Sequence, residues 1–403
     1  MSIRQRAWTG KRGHRSAWVV NYTDAKGKRR LKHFKTKKAA ADWDAATRNE
    51  LKHGVHVADA DSITVEQAGR LWLATVGEAG LERSTREHYR RHVELHMMPL
   101  IGTMRLNQLT VPAVRAFHDR MRAAGRSAEL ARKVMVSLGS MLADAQERGL
   151  TARNPVRERR RRRSPSERHK EKLAVGVHIP APAEVRAILN AATGRWRPFV
   201  GVGALAGLRI SEIRGLPWRD VDLAARTVTV RQRADAWSAL GSPKAAASRR
   251  TIPVPLLVIN ALKEWKLACP SGDANKLGLV FPSGAGGVVT HGDGEMRATW
   301  HALQVAAGVA VPDVDEAGKP LTDDDGAPIM RAKYPGFHAL RHFFASWCAA
   351  RPQDGGLGLP LKTVQVRMGH STLAMTADTY GHLFPSQDDA EVLAAGERAL
   401  MGV

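Results

Sequence analysis

The chain is poor in cysteine, in tyrosine and in acid. Cys269 and Cys348 are the only cysteines among 403 residues. That excludes a disulfide framework and a four-cysteine zinc site, and it fits a cytoplasmic protein. No run of about 18 apolar residues occurs, so no membrane span is expected. The basic start, MSIRQRAWTGKRGHRSAW, holds no apolar stretch and does not read as a secretory signal. Four tyrosines, Tyr22, Tyr89, Tyr334 and Tyr380, leave few candidates for phenolic chemistry. Asp and Glu number 39 against 62 Lys and Arg, a formal net charge of +23. Such an excess is too large for an average enzyme and points to a polyanionic partner, most simply nucleic acid. The hydrophobic share of 43% is enough for packed cores. The length suits two or three domains.

Residues 1–57 carry 15 Lys and Arg against 4 Asp and Glu. Trp18–Tyr22 and Arg30–Phe34 read as strands around the turn Asp24–Lys28, and Thr36 caps a helix from Lys37 to about Lys52. A basic β-ribbon fits the major groove, which makes Arg29, Arg30 and Lys32 candidate DNA contacts. The competing reading is a basic arm held by phosphate attraction alone. Residues 63–150 read as helices: Val65–Thr75 after Thr64, a helix capped by Ser84 and running to about Met98, Val111–Ala124, and Ser127–Arg148. Gly125 and Gly149 stand at plausible stops. Arg83, Arg86 and Arg90 at the second helix, and Arg132 and Lys133 on the last, are offered to DNA; solvated faces are the alternative. Residues 151–175 form a linker. Between Arg157 and Lys172 it holds 9 Lys and Arg, Arg160 and Arg161 among them, with 3 Glu. Like charges this dense repel, so a flexible joint along the DNA backbone is expected.

From Pro180 the pattern changes. Ala183–Ala192 and Pro198–Ala206 read as helices, Thr227–Arg233 and Arg249–Val254 as strands joined by the loop that holds Lys244, and Ile259–Trp265 and Arg297–Ala307 as helices. Residues 311–336 look inserted. Asp323-Asp324-Asp325-Gly326 lacks the alternating ligands and terminal Glu of a calcium loop, so an exposed hairpin is expected there and no metal site. A last helix reads as Asp388–Leu400.

The most chemistry lies between His338 and His382, HALRHFFASWCAA followed by VQVRMGHSTLAMTADTYGH. His338 and Arg341 share one helix face. Arg presents a fork of donors to phosphate oxygens, and a His exchanges protons near neutral pH. Tyr380 is a weak nucleophile alone and a plausible one beside cations and a base. Together with Arg209 in AGLRISEIRGLPW and Lys244 in GSPKAAASRRTIPVP, this stretch resembles the signature of the tyrosine recombinases, the phage integrase family. The resemblance covers roughly residues 175–385 closely and the front of the chain loosely.

The resemblance implies a multidomain fold, mainly α with small β-sheets. It has an arm-binding hairpin-and-helix module (1–57), a helical core-binding domain (63–150), a basic linker (151–175), a mixed α+β catalytic domain (176–385) and a helical tail (386–403). It implies a site-specific recombinase acting without metal, cofactor or ATP. Arg209, Arg341 and His370 would hold a phosphate, and His338 would accept the proton of the nucleophile Tyr380. Lys244 would protonate the leaving oxygen, and Glu212 would steady Arg209. Ala245-Ala246-Ala247 departs from the usual wording after that lysine, which keeps Lys263 and Lys266 open as substitutes; Tyr334 is the rival nucleophile. The implied partners are paired double-stranded attachment sites, a tetramer on DNA and an accessory bending or directionality protein. The same chemistry also serves a type IB topoisomerase, and the same fold a non-catalytic DNA-binding regulator.

Overall fold

Short polar side chains set the helix starts. Thr36 accepts from the amide of Ala39, and Thr64 and Gln67 form a reciprocal capping box. Ser127 accepts from Leu130, and Thr372 from Met375. Each satisfies an amide that the first helical turn leaves without a partner. The computed structural model describes residues 1–10, 13–54, 56–159, 172–243, 245–290, 295–315, 317–384 and 389–402. The fold is multidomain and mainly α, with small antiparallel sheets. Two compact units are distinguished, Met1–Arg168 and His169–Val403.

The first unit starts with a three-stranded sheet, β1 (Ser2–Gly10), β2 (Gly13–Thr23) and β3 (Arg29–Phe34), covered by α1 (Lys37–Lys52). The first strand had no signal in the sequence. SIRQRAWTG shows no alternation, and its conformation comes from the ladder with β2, from Ser2 opposite Asn21 to Gly10 opposite Gly13. Trp43 of α1 packs against Tyr22 and Phe34. Helices α2 (Val65–Glu78), α3 (Arg83–His92), α4 (Val111–Ala123) and α5 (Ala128–Glu147) then enclose a core that includes Trp72, Phe117, Leu138 and Met141. Ser84 is not the cap of α3. The helix begins two residues earlier than that cap would place it, at Arg83 behind Glu82, whose carboxylate suits the positive end of the helix dipole. A π-turn, Val93–Met97, follows α3. Beside it His92 Nδ1 bonds Ser137 Oγ of α5 at 2.8 Å in the core.

The second unit surrounds α7 (Trp196–Leu205), an apolar helix preceded by α6 (Pro182–Ala191). The tight Gly207 leads into α8 (Ile210–Arg214). Two small sheets follow: β4 (Val221–Asp222), β5 (Thr227–Val230) and β8 (Arg250–Pro253) in one, and the hairpin β6 (Arg233–Ala234) and β7 (Leu240–Gly241) in the other. Helices α9 (Leu256–Ala268) and α10 (Glu295–Ala306) precede the strands β9 (Ala310–Pro312) and β10 (Met330–Ala332). Helices α11 (His338–Ala349), α12 (Leu361–Met368), α13 (Leu373–Tyr380) and α14 (Asp389–Met401) end the chain.

Strands β9 and β10 close a hairpin whose described residues from Asp313 to Arg331 are largely exposed, but the 311–336 segment ends in the core, with Ala332 and Tyr334 buried. Asp315 and Asp323 each fold a turn by accepting backbone amides, Asp323 from Asp325 and Ala327. Those acids are used by the turns themselves. Among the described residues no group of three or more His, Cys, Asp or Glu is arranged to hold a metal ion. Among them, too, no helix is long and apolar enough to cross a membrane.

Candidate active site

The site is assembled on the end of α12. A helix leaves its last carbonyls without intrahelical donors, and they carry partial negative charge. Here three arginines from three other elements take three consecutive carbonyls. Arg250 Nε donates to Arg367 O at 2.7 Å, Arg341 Nη2 to Met368 O, and Arg209 Nη2 to Gly369 O at 3.2 Å. Gly369 closes the helix at φ +61°, a left-handed conformation that glycine adopts without penalty. A Cβ there would lie 2.9 Å from Arg250 Nη1, so space also demands glycine. The next residue is His370.

Arg341 is 1% exposed. Its Nη1 donates to Gly207 O, which ties α11 to the turn that delivers Arg209. Gly207 has φ +64°, and a Cβ on it would sit 2.2 Å from Phe344 Cδ1. Burial, then the cation of Arg209, push the Arg341 guanidinium down to about 9, still charged at neutral pH.

Glu212 joins the cations. It is 3% exposed and receives Arg209 Nη1 at 2.8 Å, Arg250 Nη1 at 3.1 Å and Arg250 Nη2 at 2.9 Å. Its Oε2 also accepts the Arg209 amide at 2.9 Å. Burial alone would raise this carboxyl. The bonds and charge of Arg250, with Arg341 and Arg209 beyond, outweigh it and hold the group at about 2. Glu212 thus steadies Arg209, and Arg250 shares the same carboxylate.

Tyr380, the last residue of α13, is 2% exposed. Its hydroxyl lies 2.7 Å from His342 Nδ1. Burial pushes the phenol up to about 12, against the pull of Arg341 and Arg209. The His370 ring lies parallel to that of Tyr380, with centroids 6.2 Å apart. His370 Nδ1 bonds Thr376 Oγ1 at 2.9 Å, so a Thr376 hydroxyl that donates there leaves the imidazole proton on Nε2. Burial, followed by Arg341, Arg209 and Arg250, lowers the His370 pKa to about 4. His338 is exposed at the start of α11, its ring edge-on to His342 at 4.7 Å.

Arg209, Glu212, Arg341, His370 and Tyr380 therefore stand together. Lys244 lies outside the described residues. Its neighbours Pro243 and Ala245 line a pocket of about 210 Å³ with Arg209, Glu212, Gly369 and Ser371. The hairpin leading there is held by the buried Arg214, whose Nε donates to Val289 O at 2.6 Å and Nη1 to Asp235 O at 2.9 Å. Lys266, on α9, lies over the ring of Trp218 instead. Tyr334 is buried elsewhere and donates to Glu184 at 2.7 Å, and burial and that carboxylate raise its pKa.

The candidate DNA contacts divide. Arg29, Arg83, Arg86 and Lys133 are exposed. Arg30 is instead taken by Asp24 and Asp61, and Lys32 by Asp59 and the Trp43 ring. Both fasten β3 to the segment that follows α1. Arg90 pairs with Glu87 and Glu94, and both Arg132 and the exposed Lys133 pair with Glu129, each within its own helix surface. Arg160 and Arg161 lie outside the described residues.

Two residues at the site escaped the sequence reading. His342 is four positions beyond His338 and one beyond Arg341, so the helical spacing already placed it on the shared face. Arg250 occupies an inward position of a strand, alternating with Ile252. A basic residue on the inward face signals a buried partner.

The sequence profile described as the phage integrase family matches residues 181–387, half of the chain. The chain belongs to that family, the tyrosine recombinases. A tyrosine recombinase XerC-like protein of Caldanaerobacter subterraneus subsp. tengcongensis is 24% identical over 392 residues, covering 90% of this chain and 91% of the relative. Two solved structures share the fold. The Tn1549 transposon integrase in complex with a circular intermediate DNA has a TM-score of 0.61 at 20% identity, over 84% of this chain and 100% of that one. A lambda integrase tetramer bound to a Holliday junction has a TM-score of 0.54 at 14% identity, over 91% and 95%. Membership makes this recombinase a DNA-acting protein, and the +23 charge agrees with such a partner.

Proposed function

We propose that this recombinase cuts and rejoins DNA at specific sites through Tyr380, and so inserts or excises the mobile element that carries it. One observation carries the reading: the buried Tyr380 hydroxyl stands in a cluster where Arg209 and Arg341 are held on adjacent carbonyls of one helix end, and His370, the next residue after that end, lies with its ring parallel to that of Tyr380. A phosphodiester repels nucleophiles and gathers negative charge in the transition state. Preorganised cations and donors lower that barrier.

Tyr380 attacks the phosphorus, and the bond to the 5′ oxygen breaks. The products are a 3′-phosphotyrosyl link and a 5′ hydroxyl, with Lys244 supplying the proton to the leaving oxygen. The link keeps the phosphodiester energy, so no ATP is consumed. A 5′ hydroxyl from the partner duplex attacks the link and restores Tyr380. Two rounds on four strands need four protomers on paired attachment sites, an assembly like the lambda integrase tetramer bound to a Holliday junction. The N-terminal module and the helices of the first unit grip the flanking DNA, helped by a bending or directionality protein. The reaction takes place in the cytoplasm.

The test joins two plasmid-borne segments spanning the ends of the element. Recombinant junctions of unique sequence support the reading. Relaxation of any supercoiled plasmid, without junctions, assigns the chain to topoisomerase chemistry instead. Tyr334→Phe should leave junction formation unchanged, because its hydroxyl serves Glu184.

A further inference from the structure

We propose that His342 takes the proton from Tyr380 as the nucleophile attacks, and returns it on rejoining. The inference rests on the reading of Tyr380 as nucleophile. In the family comparison made from sequence this role fell to His338, but the geometry puts a different ring on the hydroxyl.

The phenol must lose a proton to become a useful nucleophile, and burial opposes its ionisation. A free phenolate is therefore not available at neutral pH, and the proton has to leave during attack, to a base already in place. His342 Nδ1 is 2.7 Å from the hydroxyl, within the reach that general-base catalysis requires. The backbone supports this pairing. α11 carries both Arg341 and His342, so the same helix anchors a phosphate donor on α12 and sets the adjacent ring against the end of α13.

Four groups act on His342. Arg341 and His338 are on its own helix, Tyr380 is on α13, and His178 comes from the segment before α6. Burial comes first and Arg341 second in lowering its pKa to about 4, so the ring is neutral and able to accept. A scissile phosphate seated on Arg209 and Arg341 offsets those cations at the moment an imidazolium forms. The step balances. The Tyr380 O–H bond breaks as the Oη–P bond forms, and the proton passes to Nδ1. The electron pair of the P–O5′ bond leaves on the 5′ oxygen, which takes its proton from Lys244. On rejoining, the imidazolium returns its proton to the phenol.

The experiment measures single-turnover adduct formation on nicked duplexes spanning an element end, with the full chain as wild type, His342→Ala and His342→Asn. Asn places an amide oxygen near the Nδ1 position, so it keeps a hydrogen bond but holds no proton. DNA affinity and circular dichroism establish that the variants are folded. Both should form adduct about 100-fold more slowly or worse, as for loss of a general base. Added imidazole should restore part of the His342→Ala rate. Neither defect should be repaired by a duplex with sulfur at the 5′ bridging position, whose thiolate leaves without a proton. A wild-type rate for His342→Asn would overturn the proposal in favour of simple positioning. A slow His342→Ala that imidazole does not move, or that the sulfur substrate repairs, would also overturn it. If His342→Ala does not fold, His342→Asn decides. No adduct from the wild-type chain would instead count against Tyr380 as nucleophile.

Discussion

Arg250→Met tests whether the buried pair beneath the proposed phosphate site holds the second unit together. The substitution preserves length and apolar bulk but removes four hydrogen bonds: one to Arg367 O, one to Ser248 O and two to the Glu212 carboxylate. It leaves Glu212 in the core with Arg209 as its remaining direct ion-pair partner. Breaking a buried pair by deleting one member costs about 3–5 kcal/mol. A second route gives a similar size. Glu212 is held at about 2 against an ordinary 4.5. The depression is worth roughly 3 kcal/mol at neutral pH, with Arg250 the first of the groups that lower it. The sign follows. A carboxyl with a lowered folded pKa stabilises above its unfolded value, and that stability is lost as pH falls toward about 2. In Arg250→Met this acid-dependent loss should shrink, because Glu212 is no longer held so low. The assay is urea unfolding at several pH values, followed by hydrogen exchange of amides in α8 and α12. A loss of about 3 kcal/mol at pH 7, with a flatter acid limb, is expected. Arg250→Lys should recover only part, since an ammonium cannot reproduce the two parallel bonds. A neutral-pH change below about 1 kcal/mol would refute the reasoning.

Two other outcomes follow from particular contacts. Gly207→Ala places a methyl against Phe344 and strains a positive φ. It should destabilise the second unit by about 2 kcal/mol or more and slow adduct formation, read by thermal unfolding and gel trapping. His92 is buried against Ser137, and burial, then the nearby His96 and His88, hold it at about 4 rather than 6.5. Between those values the unfolded chain binds more protons, so the first unit should weaken as pH falls from about 6.5 to about 4, by up to roughly 3 kcal/mol. Hydrogen exchange of amides around Ser137 reads this, and His92→Gln should flatten the slope.

Much of the site was legible because its residues carry chemistry in local wording. Arg209, Arg341, His370 and Tyr380 could be picked out from short motifs, and Glu212 from its three-residue spacing to Arg209, whereas the His338 of the same motif stands exposed at the helix start. What was not legible depends on contacts between distant segments. Nothing local says that Asp59 and Asp61 fold back onto Lys32 and Arg30, so two cations offered to DNA proved to be internal fasteners. Arg250 sits 38 residues beyond the carboxylate it grips. β1 exists through its neighbour strand and not through its own pattern. His342 was the avoidable miss, since helix spacing alone placed it beside Arg341. Tyr334 shows the converse: a plausible lone tyrosine whose role as a donor to Glu184 appears only in the fold.

The central claim is that Tyr380 becomes covalently joined to DNA. The direct measurement incubates the chain with nicked duplexes spanning the element ends, with chelator present, and separates the products on denaturing gels. A protein–DNA band should form with the wild-type chain and vanish in Tyr380→Phe while DNA affinity is retained, and peptide mapping should place the nucleotide on Tyr380. A band that survives Tyr380→Phe, or a linkage mapped to another residue, would contradict the account.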